Sequence, residues 1–481
     1  VIVDDVTADS FSASRADLER LVALRSRQVQ CSILWGVVAN GELVLTGAHA
    51  CEPDPLPTGD TVFRIASMTK SFTAASIMIL RDRGLLRLDD PVGEIAPEFA
   101  AVVGPTTDSP PVTVRHLLSM AGGLATDDAW ADRHLDLPDD GLDELVRQGA
   151  TFAWPPHASG EYSNLGFAML GRVIRRVSGD RAQDFITENL LQPLGMARTT
   201  WVQPDHDDWA RPYVVRDDQR VADVAPLADG ALAPMGGLWS SVSDLARWVA
   251  WLTDAFPARD DLDDGPLRRA SRREMQQVHR AFPTTQNAAS GEGDEATPAR
   301  TDGGGYGFGL FVTHDVRFGH FVAHSGGLPG YGSNMRWLPG RGIGVIALGN
   351  STYAPMSTMA RRMLEIVDDH GLVPAGSCPA SAALVDGARR LAALLSDWTD
   401  GAANELFADN VAMDESYSRR ARQASELTAT HGSLSAKTVA AVTPMRGRVT
   451  MRHADGTERG FDLELSPLVP PRLQLYELLE G

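Results

Sequence analysis

Lysine occurs at two positions in this chain, Lys70 and Lys437, although Lys and Arg together number 44. Arginine keeps its proton at any working pH, whereas an amine in a partly dry site can release one and act as a base. Lys70 stands three residues after Ser67 in "RIASMTKSF". On the first turn of a helix this spacing puts hydroxyl and amine on one face, and the helix N-terminus favours developing negative charge. Such a pair can activate a serine as a nucleophile. An N-capping serine beside a surface cation is the plain alternative, and S-x-x-K alone does not separate the two.

Two further stretches carry suitable groups. In "GEYSNLGFAMLGRVIRRVSGD" the phenol of Tyr162 is a candidate general base if a lysine ammonium lowers its pKa, and the carboxamide of Asn164 can hold an amine and a substrate carbonyl. The plain reading is an aromatic at a loop-helix junction with Asn164 as the cap. In "HSGGLPGYGS", His324, Ser325, Gly326 and Gly327 end a strand, where the glycines let a substrate backbone approach and the Gly327 N–H can join that of Ser67 around an oxyanion. Residues 323–327 nearly match a G-x-S-x-G elbow, but the Pro and Gly that follow Ser325 cannot begin the helix an elbow requires.

No H-E-x-x-H, paired C-x-x-C or P-loop occurs, so neither a metal nor another cofactor is expected. The pairs Asp89-Asp90, Asp127-Asp128 and Asp207-Asp208 read as capping or solvated carboxylates.

The elements that must position these groups follow from pattern. Asn40-Gly41 between two apolar runs predicts a hairpin, after an N-terminal helix over 15–27. Apolar spacing predicts a buried helix from Ser67 to Gly84 and others at 113–120, 164–178, 181–190 and 243–253. Residues 281–305, poor in apolar side chains, read as a long flexible loop. "YGFGLFV", "HFVAHSG" and "GIGVIALG" read as strands, followed by a helix at 355–369. Past a linker in "GLVPAGSCPASAA", helices at 383–397 and 416–430 and then four strand-like runs predict a small α+β module of about 100 residues.

At 481 residues, 43% apolar and 22% charged, the chain can fill one large and one smaller domain. A net charge of −19 speaks against nucleic-acid or anionic-membrane partners. Cys31, Cys51 and Cys378 are too few and too scattered for a disulfide framework. No run is long and apolar enough for a membrane span, and the first residues lack a signal-peptide pattern. A cytoplasmic location is expected, or a secreted one if a leader was removed.

These motifs do not stand alone. "FRIASMTKSFTAASIMILRDRGLLRLDDPV", "VTVRHLLSMAGGL", "EYSNLGFAMLGRVIRRVSG", "PLGMARTTW", "GGLWSSVSDLARWVAWL", "YGFGLFV" and "GHFVAHSGGLPGYGSNMRWLPGRGIGVIALGN" follow in the order seen in the penicillin-recognising serine enzymes, and the chain resembles their class C β-lactamase, esterase and D-aminopeptidase branch over roughly residues 15 to 370. The resemblance implies an α+β, β-lactamase/transpeptidase-like fold. In it an antiparallel sheet is flanked by helices, with a helical lobe and the site in the cleft between lobe and sheet. The catalytic domain is expected over 1–375 and a small α+β accessory domain, cystatin- or NTF2-like in element order, over 380–481.

Carried over by position, Ser67 is the acylated nucleophile, Lys70 its activating partner, Tyr162 the base and proton shuttle, and Asn164 an orienting carboxamide. The amides of Ser67 and Gly327 form the oxyanion hole, and Ser325 and Gly326 bind substrate. His324 stands where lactam-hydrolysing members commonly carry a lysine that helps bind the lactam carboxylate. Neutral imidazole attracts that carboxylate less, so β-lactamase activity is expected to be weak or absent.

The expected function is a serine hydrolase acting on a small-molecule or peptide acyl substrate, an ester or an amide, including D-configured ones. Two alternatives stand beside it: an acyltransferase or peptide-cyclising thioesterase of secondary metabolism, and a non-catalytic sensor. The accessory domain is read as a wall for substrate selection or as a homodimerisation element.

Overall fold

Asn40 and Gly41 both adopt positive φ, 51° and 82°, as a two-residue primed turn demands. They join β1 (Ile33–Ala39) to β2 (Glu42–His49). The computed structural model describes residues 8–222, 228–256, 259–287, 300–374, 376 and 378–479. It divides the chain into two units, Val1–Pro374 and Ala375–Gly481.

In the first unit the hairpin joins strands from the far end of that unit. These are β3 (Arg280–Asn287), β4 (Arg300–Tyr306), β5 (Phe311–Asp315), β6 (Gly319–Leu328), β7 (Tyr331–Leu338) and β8 (Ile343–Gly349). The sheet runs β2-β1-β8-β7-β6-β5-β4-β3, with every neighbouring pair antiparallel. β1 is buried throughout, so its alternating side chains serve two cores. Leu34 and Val38 join one, and Ile33, Trp35, Val37 and Ala39 the other.

The second of these cores is covered by α1 (Ala8–Val29) and α5 (Met356–Asp369), through residues such as Phe11, Leu18, Met363 and Val367. The first lies under α2 (Thr69–Asp82), α3 (Asn164–Ser178) and α4 (Val242–Thr253). Gly36 lets α4 approach the sheet, because a Cβ there would stand 2.6 Å from Val242 Cγ1. α2 is buried from Thr69 to Leu80, Lys70 included.

Three expectations need correction. Residues 281–305 are not simply a loop: β3 and β4 pair there and extend the sheet, with 288–299 outside the described residues. Their polar composition misleads because a ladder needs only backbone partners. "YGFGLFV" is not one strand, since Tyr306 ends β4 and Phe311 begins β5. Tyr331–Leu338, for which the sequence suggested no element, is a fully buried strand. The helix expected over 181–190 is Ala182–Ile186 continued by a π turn, Thr187–Leu191.

The second unit opens with α6 (Ala382–Ser396) and, after two short helices, reaches α7 (Tyr417–Ala429). A four-stranded antiparallel meander follows: β9 (Leu434–Thr443), β10 (Arg446–His453), β11 (Glu458–Leu465) and β12 (Leu473–Leu478). Leu384, Leu391, Phe407, Val449, Met451, Phe461 and Leu463 form its core. Among the described residues, no helix is long and apolar enough to cross a membrane.

Candidate active site

Ser67 lies in a 3₁₀ turn, Ala66–Met68, that feeds α2. Ala66 takes φ 49°, a left-handed conformation that an L-residue with a Cβ adopts at a cost. Met68, not Ser67, occupies the cap position of α2, so the plain capping reading of Ser67 does not hold.

One turn on, Lys70 is fully buried, and three acceptors surround its Nζ: Ser67 Oγ at 2.9 Å, Asn164 Oδ1 at 2.6 Å and the Met235 carbonyl at 2.7 Å. The carboxamide and carbonyl oxygens only accept. In the neutral amine, therefore, two N–H groups are committed to them and the lone pair faces the Ser67 hydroxyl. Burial pulls the Lys70 pKa down to about 8, against the upward pull of Asp128, Asp132 and Asp127.

Asn164 opens α3, but Ser163 is its cap, with Oγ accepting from the Gly166 N–H at 3.2 Å. Asn164 is thereby free to serve Lys70. Its Nδ2 donates to Asp128 Oδ1 at 2.6 Å, while Asp127 accepts the Asn164 and Leu165 backbone N–H groups at 2.7 and 2.8 Å.

Tyr162, just upstream, has its hydroxyl beside Ser67, and its ring centroid is 4.9 Å from Lys70 Nζ. Its pKa shifts in the direction opposite to the one a general base needs. Desolvation raises it well above its ordinary value, the neighbouring Ser67 opposes only in part, and the three aspartates push it further up.

His324 is buried on β6. Its Nδ1 lies 2.6 Å from the Ser325 carbonyl, which can only accept, so Nδ1 carries the proton and Nε2 accepts from the Tyr306 hydroxyl at 2.8 Å. Burial, and then Lys70, lower its pKa to about 3, so the ring offers no positive charge. Ser325 Oγ accepts from Asn334 Nδ2 at 2.9 Å. Gly326 is required by close approach: a Cβ there would stand 2.2 Å from the Ile65 carbonyl. Ser333 Oγ donates to that same carbonyl at 2.7 Å, so β6 and β7 are laid against the turn that carries Ser67. At Gly327 a Cβ would meet the Tyr353 ring at 2.7 Å.

A cleft of about 990 Å³ opens over Ser67, lined among others by Tyr162, Phe282, Phe311, His324 and residues 325–327. Its charged lining among the described residues is acidic: Asp128, Asp132 and Glu161. Asp132 accepts from the Tyr353 hydroxyl at 3.0 Å, and burial raises its pKa to about 6. Asp128, Asp132, Tyr306, Tyr353 and the Met235 carbonyl were missed by sequence reasoning. The only signal was the Asp127-Asp128 pair, and a carboxylate pair in a loop looks the same whether it faces solvent or a lysine.

The Beta-lactamase family model matches residues 19–368. The chain belongs to that family. It is 28% identical over 310 residues to Penicillin-binding protein 4* of Bacillus subtilis (strain 168), covering 60% of this chain and 60% of that protein. To Esterase EstB of Burkholderia gladioli it is 29% identical over 386 residues, 73% of this chain and 95% of the esterase. To Beta-lactamase-like protein 2 of Dictyostelium discoideum it is 30% identical over 211 residues, 42% of this chain and 38% of that protein. The match thus spans three fifths or less of the Bacillus and Dictyostelium relatives. Among solved structures, the octameric penicillin-binding protein homologue from Pyrococcus abyssi aligns with a TM-score of 0.62 at 20% identity, over 97% of this chain and 100% of that one. The fold is β-lactamase/transpeptidase-like.

Proposed function

We propose that this protein is a cofactor-free serine hydrolase that forms an acyl-enzyme on Ser67. The observation that carries the reading is the Lys70 amine, tied to Asn164 Oδ1 and the Met235 carbonyl with its remaining valence at Ser67 Oγ. Neutral Lys70 takes the Ser67 proton as Oγ attacks an acyl carbonyl. The oxyanion forms against the amides of Ser67 and Gly327. Tyr162, held protonated by its surroundings, suits the role of donor: it gives its proton to the leaving oxygen or nitrogen and recovers one from Lys70. Water then releases the acyl group.

Esters and amides fit the cleft better than carboxylate-bearing lactams, because His324 is neutral and the charged lining is acidic. The same lining favours an ammonium on the substrate or the acceptor. This supports amine-bearing acyl groups, including D-aminoacyl ones, and gives the acyltransferase or peptide-cyclising alternative its one specific observation.

The test is labelling with a fluorophosphonate followed by peptide mapping, then turnover of D- and L-aminoacyl amides, short-chain esters and a chromogenic β-lactam. The reading expects the label on Ser67, no turnover in Ser67→Ala, and esters or amides hydrolysed in preference to the lactam. A label elsewhere, or full turnover by Ser67→Ala, removes it.

A further inference from the structure

The Asn164 carboxamide has two unlike ends, and the site gives each a matching partner: Oδ1 receives Lys70 and Nδ2 donates to Asp128. We propose that Asp128 is a positioning residue, holding the Asn164 carboxamide in the one orientation that leaves the Lys70 amine aimed at Ser67. The inference rests on the acyl-Ser67 reading above.

The need for it appears in the reactive state. While Lys70 is an ammonium, it selects the oxygen end of Asn164 by itself, because donor cannot meet donor. Once neutral, the amine has a lone pair, and a flipped carboxamide can donate an N–H to it. That flip withdraws the lone pair from the Ser67 hydroxyl, and the base is lost in the very state that should act. Asp128 forbids the flip, since it would set Asn164 Oδ1 against a carboxylate oxygen at a site where Nδ2 now stands 2.6 Å away.

The backbone of the same residue is held as well, through the Asp127 bonds to the Asn164 and Leu165 N–H groups. Consecutive aspartates therefore hold Asn164 by main chain and side chain. The groups that face Lys70 are Asp127, Asp128 and Asp132 from the segment before α3, Tyr162 at the entry to α3, and His324 from β6. Of these, Asp128 alone accepts a hydrogen bond from the Asn164 side chain among the described residues.

The experiment measures the rate of Ser67 acylation by an activated ester as a function of pH in the full chain. It compares wild type with Asp128→Ala, Asp128→Asn, Asn164→Ala and Asp128→Ala/Asn164→Ala, each checked for folding by its melting curve. On the alkaline plateau, where Lys70 is neutral in all of them, Asp128→Ala should lose about 10- to 100-fold, the scale of a mis-set reacting group. Asp128→Asn retains an acceptor for Nδ2 and should recover most of that loss.

Adding Asp128→Ala to Asn164→Ala should change the plateau by less than about twofold, because the residue through which Asp128 acts is already gone. In both single Asp128 variants the acid limb should move to lower pH, since a carboxylate that favoured the ammonium has been removed. A plateau rate in Asp128→Ala equal to wild type, or the same fold-loss with and without Asn164, overturns the proposal. If Asp128→Ala does not fold, Asp128→Ser, too short to reach the carboxamide, takes its place under the same criteria. Failure of wild type to acylate at Ser67 removes the parent reading and this proposal together, whereas acylation indifferent to Asp128 removes only this one.

Discussion

At the scale of single residues, Lys70 carries the most consequence. Its three acceptors explain why a compact amine stands in a chain that otherwise uses arginine almost throughout, since a guanidinium has no lone pair to offer near neutral pH. Lys70→Met, which keeps the length and removes the base, should slow acylation by about 100- to 10,000-fold, read by stopped-flow with an activated ester. Wild-type acylation should rise with pH and level off above about 8, where the amine becomes neutral. The same shift acts on stability. The folded pKa is about 8 against an ordinary 10.5, so between those values the unfolded chain binds more protons and stability climbs with pH. The destabilising contribution of Lys70 is full below about 8 and gone above 10.5, a trend that denaturant melts of wild type and Lys70→Met across this window will show as a convergence. Tyr162→Phe leaves the ring beside Lys70 but removes the hydroxyl proposed as the proton donor. Its effect should grow with the basicity of the leaving group, with amides losing far more than activated esters.

Elements decide whether those residues meet. Ser67 comes from a turn before α2, Asn164 from the first residue of α3, and the glycine strand from β6. The contact between β6 and the Ser67 turn depends on Gly326, whose missing side chain leaves room for the Ile65 carbonyl. Gly326→Ala should force strand and turn apart, lowering stability by about 1–3 kcal/mol and acylation by a larger factor than Ser325→Ala, whose hydroxyl lies one position along the same strand. Melting temperature and kcat/KM measured on both variants check this.

For the whole molecule, the second unit has a core of its own, which is the condition for folding alone. The fragment 376–481 is expected to unfold cooperatively in isolation, as seen by circular dichroism against temperature, and 1–374 is expected to keep fluorophosphonate labelling of Ser67. A fragment 376–481 without a melting transition would show that its core is completed by the rest of the chain.

Much of this was legible in the chain itself. Asn40-Gly41 specified its hairpin because only certain residues tolerate positive φ at both turn positions. Helices α2, α3 and α4 were written in apolar spacing, and the order of seven family-like stretches, more than any single motif, singled out Ser67, Lys70, Tyr162, Asn164 and His324 as candidates. The strands of 280–306 and Tyr331–Leu338 were hidden, because glycine and polar residues disguise backbone pairing whose partners lie elsewhere in the sheet. The state of each group was also beyond local pattern. A phenol near a lysine suggested a lowered pKa, yet burial and three carboxylates raise it. Asp127-Asp128 looked like an ordinary polar pair until α3 was packed against it. Residue type and spacing determine which chemistry a chain can perform, whereas protonation, orientation and access depend on desolvation and on neighbours distant in sequence, which only the tertiary structure supplies.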